Sequence, residues 1–155
     1  MAARKLPVLL CLVLFSAPLL VSTPVLADAF KLISRDGRQA EYEGTLSLSG
    51  RFERRQDAET LDWRGDRVCF FPEGAAASQL PNAAGGKGWF CFSNHSTATQ
   101  QLRVASTQPG SCGATGTATV AISHYIAENG SGETINQAWL DKVVQQGPVS
   151  PIRCN

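Results

Sequence analysis

Two histidines, scattered carboxylates, five cysteines and three tryptophans are the residues of this chain that could do chemistry. A serine or cysteine nucleophile needs a base within reach, normally a histidine. His95 stands in the polar turn Asn94-His95-Ser96. His124 alternates with Val120, Ile122 and Ile126, the pattern of a core-facing strand position, so it reads as a structural histidine. Neither has an acid at a telling spacing. Glycoside hydrolysis needs two carboxylates across a cleft. Asp62, Asp66, Glu73, Glu128 and Asp141 are available, but their order in the chain pairs no two of them. Gly85-Gly86-Lys87-Gly88 lacks the hydroxyl residue that completes a phosphate-binding loop. The expectation is a protein that is not an enzyme and carries no cofactor or metal.

The cysteines support a different chemistry. Cys11 lies in an apolar leader, and Leu10 before it is too large for a lipidation signal. The other four are Cys69, Cys91, Cys112 and Cys154, with no C-x2-C pair among them to hold a metal. An even number in an exported chain argues for two disulfides. Three connectivities are open. Cys69 with Cys91 and Cys112 with Cys154 is favoured, because Cys69 and Cys91 fall in short strands expected to be neighbours.

Export itself is read from the start of the chain. Arg4 and Lys5 precede an apolar run from Leu6 to Val21, shorter than the roughly 20 residues that span a bilayer. Ser22-Thr23-Pro24 breaks the run, and Val25-Leu26-Ala27 offers a small residue to signal peptidase. Residues 1–27 are therefore expected to be a signal peptide, and 28–155 one exported domain, periplasmic or secreted, without stable membrane insertion. Removing Arg4 and Lys5 from the 14 basic side chains leaves the 13 acids in slight excess. Arg51, Arg54, Arg55, Arg64 and Arg67 are interleaved with Glu53, Asp57, Glu59, Asp62 and Asp66. That is no nucleic-acid footprint, which needs a basic excess on one face.

The elements that must position these groups are mostly strands. Tyr42, Gly44, Leu46, Leu48, Gly50 and Phe52 alternate with polar residues, which gives one long strand or a strand with a bend. Glycines on its inward side permit the curvature a small barrel needs. Leu61 to Arg64 alternates as a short strand, followed by a turn at Gly65-Asp66. Arg67–Phe71 and Trp89–Phe92 are apolar on both faces and read as buried strands. Residues 73–88 form a long Gly- and Ala-rich loop. A turn region covers 108–116, and a β-branched strand covers 117–127. Thr134 and Gln137 resemble a capping box, and Ile135, Ala138, Trp139 and Val143 recur at helical spacing. A C-terminal α-helix is expected over 135–146, stopped by Gly147-Pro148. The fold class is mainly β: a small antiparallel, partly closed barrel of OB or SH3 shape, or a curved sheet with that helix.

Function must then come from surfaces. Trp63, Arg64, Asp66, Lys87 and Trp89 flank the long loop and are the candidate contact residues, aromatics being effective anchors. Arg64-Gly65-Asp66 matches an adhesion tripeptide but reads as a turn. Asn94-His95-Ser96 and Asn129-Gly130-Ser131 fit the glycosylation sequon. The expected role is a binding or accessory domain of the cell envelope with a protein or glycan partner. Inhibition of a secreted lysozyme or protease, and an unrecognised small hydrolase, are the alternatives. Mass spectrometry of the exported protein should give an N-terminus at Asp28 and no free thiol. Four alkylatable cysteines would remove the argument for an oxidising compartment.

Overall fold

A computed structural model of the chain describes residues 30–81, 88–104, 109–128 and 135–154. The expected leader, Lys87, Thr134 and the second sequon lie outside the described residues. Strands dominate: β1 (Lys31–Asp36), β2 (Gln39–Glu43), β3 (Leu46–Arg55), β4 (Val68–Pro72), β5 (Phe90–Phe92), β6 (Ser111–Glu128) and β7 (Gln137–Arg153). Two short helices join them, α1 (Ala58–Arg64) and α2 (His95–Gln101), and residues 74–79 form a 3-10 turn.

The period-two run folds as a strand with a bend. Tyr42, Leu46, Leu48 and Phe52 are buried, and Gly44, at φ +115°, divides β2 from β3. Both halves lie along one edge of the long β6. Ala40 and Tyr42 pair with Ala127 and Tyr125, and Leu46 to Arg55 pair with Ile122 to Gly113. β1 folds back on β2 as a hairpin. β3, β4 and β5 then form an antiparallel meander, and the other edge of β6 is taken by β7.

One pairing turns this sheet into a ring. β5 runs parallel to the start of β7, with Cys91 opposite Gln137 and Phe92 opposite Ala138. The hydrogen-bonded circuit is β6-β3-β4-β5-β7 and back to β6. Because β5 is so short, side chains extend the seam. Asn136 Nδ2 donates to the Trp89 carbonyl at 3.1 Å, and Asn136 Oδ1 accepts from Glu128 N–H at 2.9 Å. Asn94 behaves as one more strand residue: its amide donates to the Leu140 carbonyl and accepts from Leu140 N–H, both at 2.9 Å. Further along, Gln101 Oε1 accepts from Val143 N–H, and Gln146 Nε2 donates to the Leu102 carbonyl. The N–H and C=O of Leu140 and the N–H of Val143, on the side of β7 away from β6, are satisfied in this way.

Phe52, Phe70, Phe90, Phe92, Leu48, Val120, Ile122 and Leu140 fill the ring. Phe70, Phe90 and Phe92 meet with centroids 5.5–6.2 Å apart. Leu102 and Val104, just after α2, join the same core. Both disulfides have the favoured connectivity: Cys69–Cys91 ties β4 to β5, and Cys112–Cys154 ties the start of β6 to the chain just past β7. Two intramolecular disulfides indicate an oxidising, extracytoplasmic environment.

Several sequence expectations are corrected. Residues 137–153 are a strand, not part of a C-terminal helix. Ala138 and Leu140 are buried opposite β6, while Trp139 between them is 49% exposed. Bulges then intervene: Leu140 pairs with Ile122, but the next inward pair is Val143 with Val120. The extra residue stretches the apolar spacing from two to three, which imitates a helical period. Gly147 and Pro148 sit inside this strand, where Pro is tolerated because among the described residues no strand lies along that edge. Residues 61–64 are helical rather than extended. Asp57 caps α1 by accepting from Thr60 N–H at 3.0 Å, and Gly65 ends it. β6 starts six residues earlier than expected, at Ser111. Residues 31–36, without apolar alternation, form a strand through their hairpin partner alone.

Gly50 pairs with Pro72, where β3 meets the end of β4. A Cβ there would stand 2.3 Å from the Phe71 carbonyl oxygen, a backbone atom that cannot swing away. Gly50→Ala should therefore cost about 1–3 kcal/mol, read as a lower denaturant midpoint with an unchanged slope. Wild-type stability in this variant would show that β4 is free to yield.

Candidate binding face

Strand alternation decides what the ring shows outside. Phe52, Val68, Phe70, Phe90 and Phe92 point in, so Arg51, Glu53, Cys69, Phe71, Trp89 and Cys91 point out on the same three strands. Pairing sets them in rows, with Arg51 opposite Phe71, Glu53 opposite Cys69 and Cys69 opposite Cys91. Helix α1 folds back over this face and adds Trp63 and Arg64. A second apolar cluster results: Cys69, Cys91 and Ile135 at its base, with half-buried Trp63, Phe71 and Trp89 around them.

The rings and guanidinium groups form a ladder. Arg51 lies over Phe71, with its Cζ 4.5 Å from the ring centroid. Phe71 stacks on Trp89 at 5.5 Å, and Trp89 meets the edge of Trp63 at 6.1 Å. Arg64 Cζ is 4.9 Å from Trp63 and 6.0 Å from Trp89. Arginine on an aromatic face is attracted by the ring quadrupole, more so once water is excluded.

Glu53 anchors this ladder from beneath. It is buried, and its carboxylate accepts from Arg51 at 2.7 Å and from both terminal nitrogens of Arg64 at 3.2 Å. Arg55 Nε adds a third cation at 3.6 Å. Burial pushes the Glu53 carboxyl upward, but the hydrogen bonds and positive charges of Arg51 and Arg64 outweigh it and hold the group below its ordinary 4.5. Arg64 itself is only 8% exposed, and its Nε has no partner among the described residues.

The structure brings together three of the five sequence candidates. Trp63, Arg64 and Trp89 share the face. Asp66 lies apart: it receives a two-pronged bond from Arg54 at 2.7 and 2.6 Å, and Arg54 also donates to the Val104 carbonyl. Those bonds hold the Asp66 carboxyl below its usual range. Arg64-Gly65-Asp66 is thus no free tripeptide, since Arg64 is buried against Glu53 and the partly exposed Asp66 is held by Arg54. Lys87 lies outside the described residues. Sequence reasoning missed Arg51 and Phe71. Arg51 had a signal, as an odd-numbered position on a strand whose even positions were read as core, whereas Phe71 stood on a strand read as buried on both faces.

The catalytic candidates do not assemble. His124 is exposed, contrary to its expected core placement, and its ring lies 4.6 Å from that of Trp139. A bulge gives β6 one extra residue between Ser123 and Ile126, so Tyr125 turns inward instead. Asp141 accepts from Ser123 at 2.7 Å without a base beside them. Among the described residues no group of three His, Cys, Asp or Glu side chains is placed to hold a metal. No family model, curated protein or solved structure matches this chain.

The Glu53 cluster has a defined pH signature. A carboxyl depressed in the folded state contributes stability above its ordinary value of 4.5, and that contribution is lost as pH falls through the lower folded value. Glu53→Gln leaves Arg64 buried without its counter-charge and should cost about 3 kcal/mol at neutral pH. The gap between wild type and variant should close as acid protonates Glu53 in the wild type. A gap independent of pH would mean that the carboxylate charge contributes nothing.

Proposed function

We propose that this protein is an exported binding module, periplasmic or secreted, that holds an envelope glycan against the Arg51–Phe71–Trp89–Trp63 face. The observation that carries the reading is the ladder itself: three half-buried rings in contact, two stacked and the third edge-on, backed by a disulfide and braced by arginines. Flat rings accept the apolar faces of sugar rings, and their rigidity keeps the ordering cost low. Arg51, Arg55 and Arg64 stand against Glu53 and Asp57 beside the ladder, Arg51 and Arg55 each about two-fifths exposed, so one positive charge is left over. A glycan bearing carboxylate or phosphate groups suits that balance better than a neutral one.

Topology supports the same reading. The ring runs through a three-strand meander, a helix, and a last pair closed by a parallel contact. We read this as the five-strand Greek-key order of an OB barrel, with β3 to β7 as its strands and α2 in the place of its connecting helix. OB barrels bind oligosaccharides and oligonucleotides on the face of their second and third strands. Here those are β4, which carries Phe71, and β5, which Trp89 immediately precedes. The analogy raises the prior without replacing the argument from the face.

Purified protein should co-sediment with isolated cell-wall sacculi and bind acidic envelope oligosaccharides on a glycan array. Trp89→Ala should weaken both at least about ten-fold, the loss expected of a central aromatic anchor, while thermal unfolding stays cooperative. Undetectable glycan binding by the wild type, or binding indifferent to Trp89, would overturn the assignment.

A further inference from the structure

A second site is built where the β1–β2 hairpin meets the β6–β7 pair, on strands that contribute nothing to the ladder. His124 has φ +47°, a left-handed conformation that residues with a side chain seldom adopt. It occupies the bulge between the Ser123–Trp139 and Ile126–Gln137 pairs. Bulges of this kind re-aim a side chain, and strained backbone concentrates at functional positions. Here the bulge carries the imidazole out of the core and onto Trp139, which stands 49% exposed.

Beside this pair opens a cleft of about 240 Å³, lined by Trp139, His124, Tyr42, Ile33 and Glu41 among others. Its size suits one small group and is below that of an ordinary drug-sized pocket. Its walls are rings and aliphatic carbons. Glu41 supplies the one formal charge, and among the described residues no lysine or arginine lines the space. Aromatic faces with a carboxylate and no competing cation are complementary to a compact positive charge with an apolar surface. An anion would meet repulsion from Glu41, and a strongly hydrated ion would lose its water against apolar walls.

We propose that this cleft binds a small organic cation bearing a methylated ammonium group, seated on Trp139 and charge-paired with Glu41. The assignment stands apart from glycan binding, because no residue is shared between the two faces.

The test compares choline with its neutral isostere 3,3-dimethylbutan-1-ol, using the oxidised exported protein and following tryptophan indole signals by NMR. Choline should shift the Trp139 indole in a saturable way. The isostere should bind roughly ten-fold more weakly, the scale of one desolvated cation–π contact. Trp139→Ala should abolish choline binding, read in that variant by saturation transfer to the choline N-methyl protons because the reporter indole is gone, and Glu41→Gln should weaken it. Trp89→Ala, which disables the ladder, should leave it intact. Trp139 is half exposed, so its removal leaves the core filled, and a folded spectrum of the variant confirms this. Equal binding of the two isosteres, no choline shift at Trp139, or saturation transfer to choline that survives Trp139→Ala would each overturn the proposal.

Discussion

The ring closes on the parallel contact between β5 and β7, and every other feature depends on it. β5 is three residues long and meets β7 through Cys91 and Phe92. A contact so short is weak by itself, since parallel pairs gain slightly less per residue than antiparallel ones. Two asparagines make up the deficit. Asn136 bonds across both of its neighbours, and Asn94 exchanges two bonds with Leu140 as a strand residue would. Closure brings Trp89 beside α1 and seals Phe90 and Phe92 within the core. An open sheet would leave the same residues as an unprotected edge.

The outward ladder follows from that closure through simple alternation. Once Phe70 and Phe90 are committed inward, Phe71 and Trp89 have no choice of side. Such a face would be an aggregation hazard if wholly apolar. Its rows of arginine and Glu53 prevent this, and they also restrict the rings to one arrangement. Buried charges of this kind contribute little net stability, because desolvation offsets most of their attraction. What they supply is geometry. Glu53 is a shared acceptor for Arg51 and Arg64, so both cations are fixed relative to the rings they cover.

Much of the fold was legible in the sequence, and the failures have physical causes. The run from Tyr42 to Phe52 alternates cleanly because one side meets the core and the other meets water. The disulfide pairing followed from reading Cys69 and Cys91 as neighbours on short strands. β7 was misread because bulges alter the spacing of Ala138, Leu140 and Val143, and periodicity detects spacing rather than hydrogen bonding. His124 was misplaced for the same reason one strand earlier. On the candidate face, Trp63 and Trp89 stood out by type, and their meeting required the turn of α1. Arg51 was hidden because an outward residue looks like any amphipathic strand position until its neighbours are known, and Phe71 because a strand apolar on both faces reads as wholly buried.

The double bond pattern of Asn94 bears on how the protein can be manufactured. Asn94-His95-Ser96 is an acceptor sequence for oligosaccharide transfer, and the atom that would receive the sugar is the Nδ2 that donates to Leu140. A eukaryotic secretory host attaches glycans while chains are still unfolded. Material from such a host would carry a bulky substituent between α2 and β7, where the ring of strands must be sewn shut. Recombinant work on this protein therefore calls for a host without that modification, or for a sequon disarmed at Ser96 instead of at Asn94.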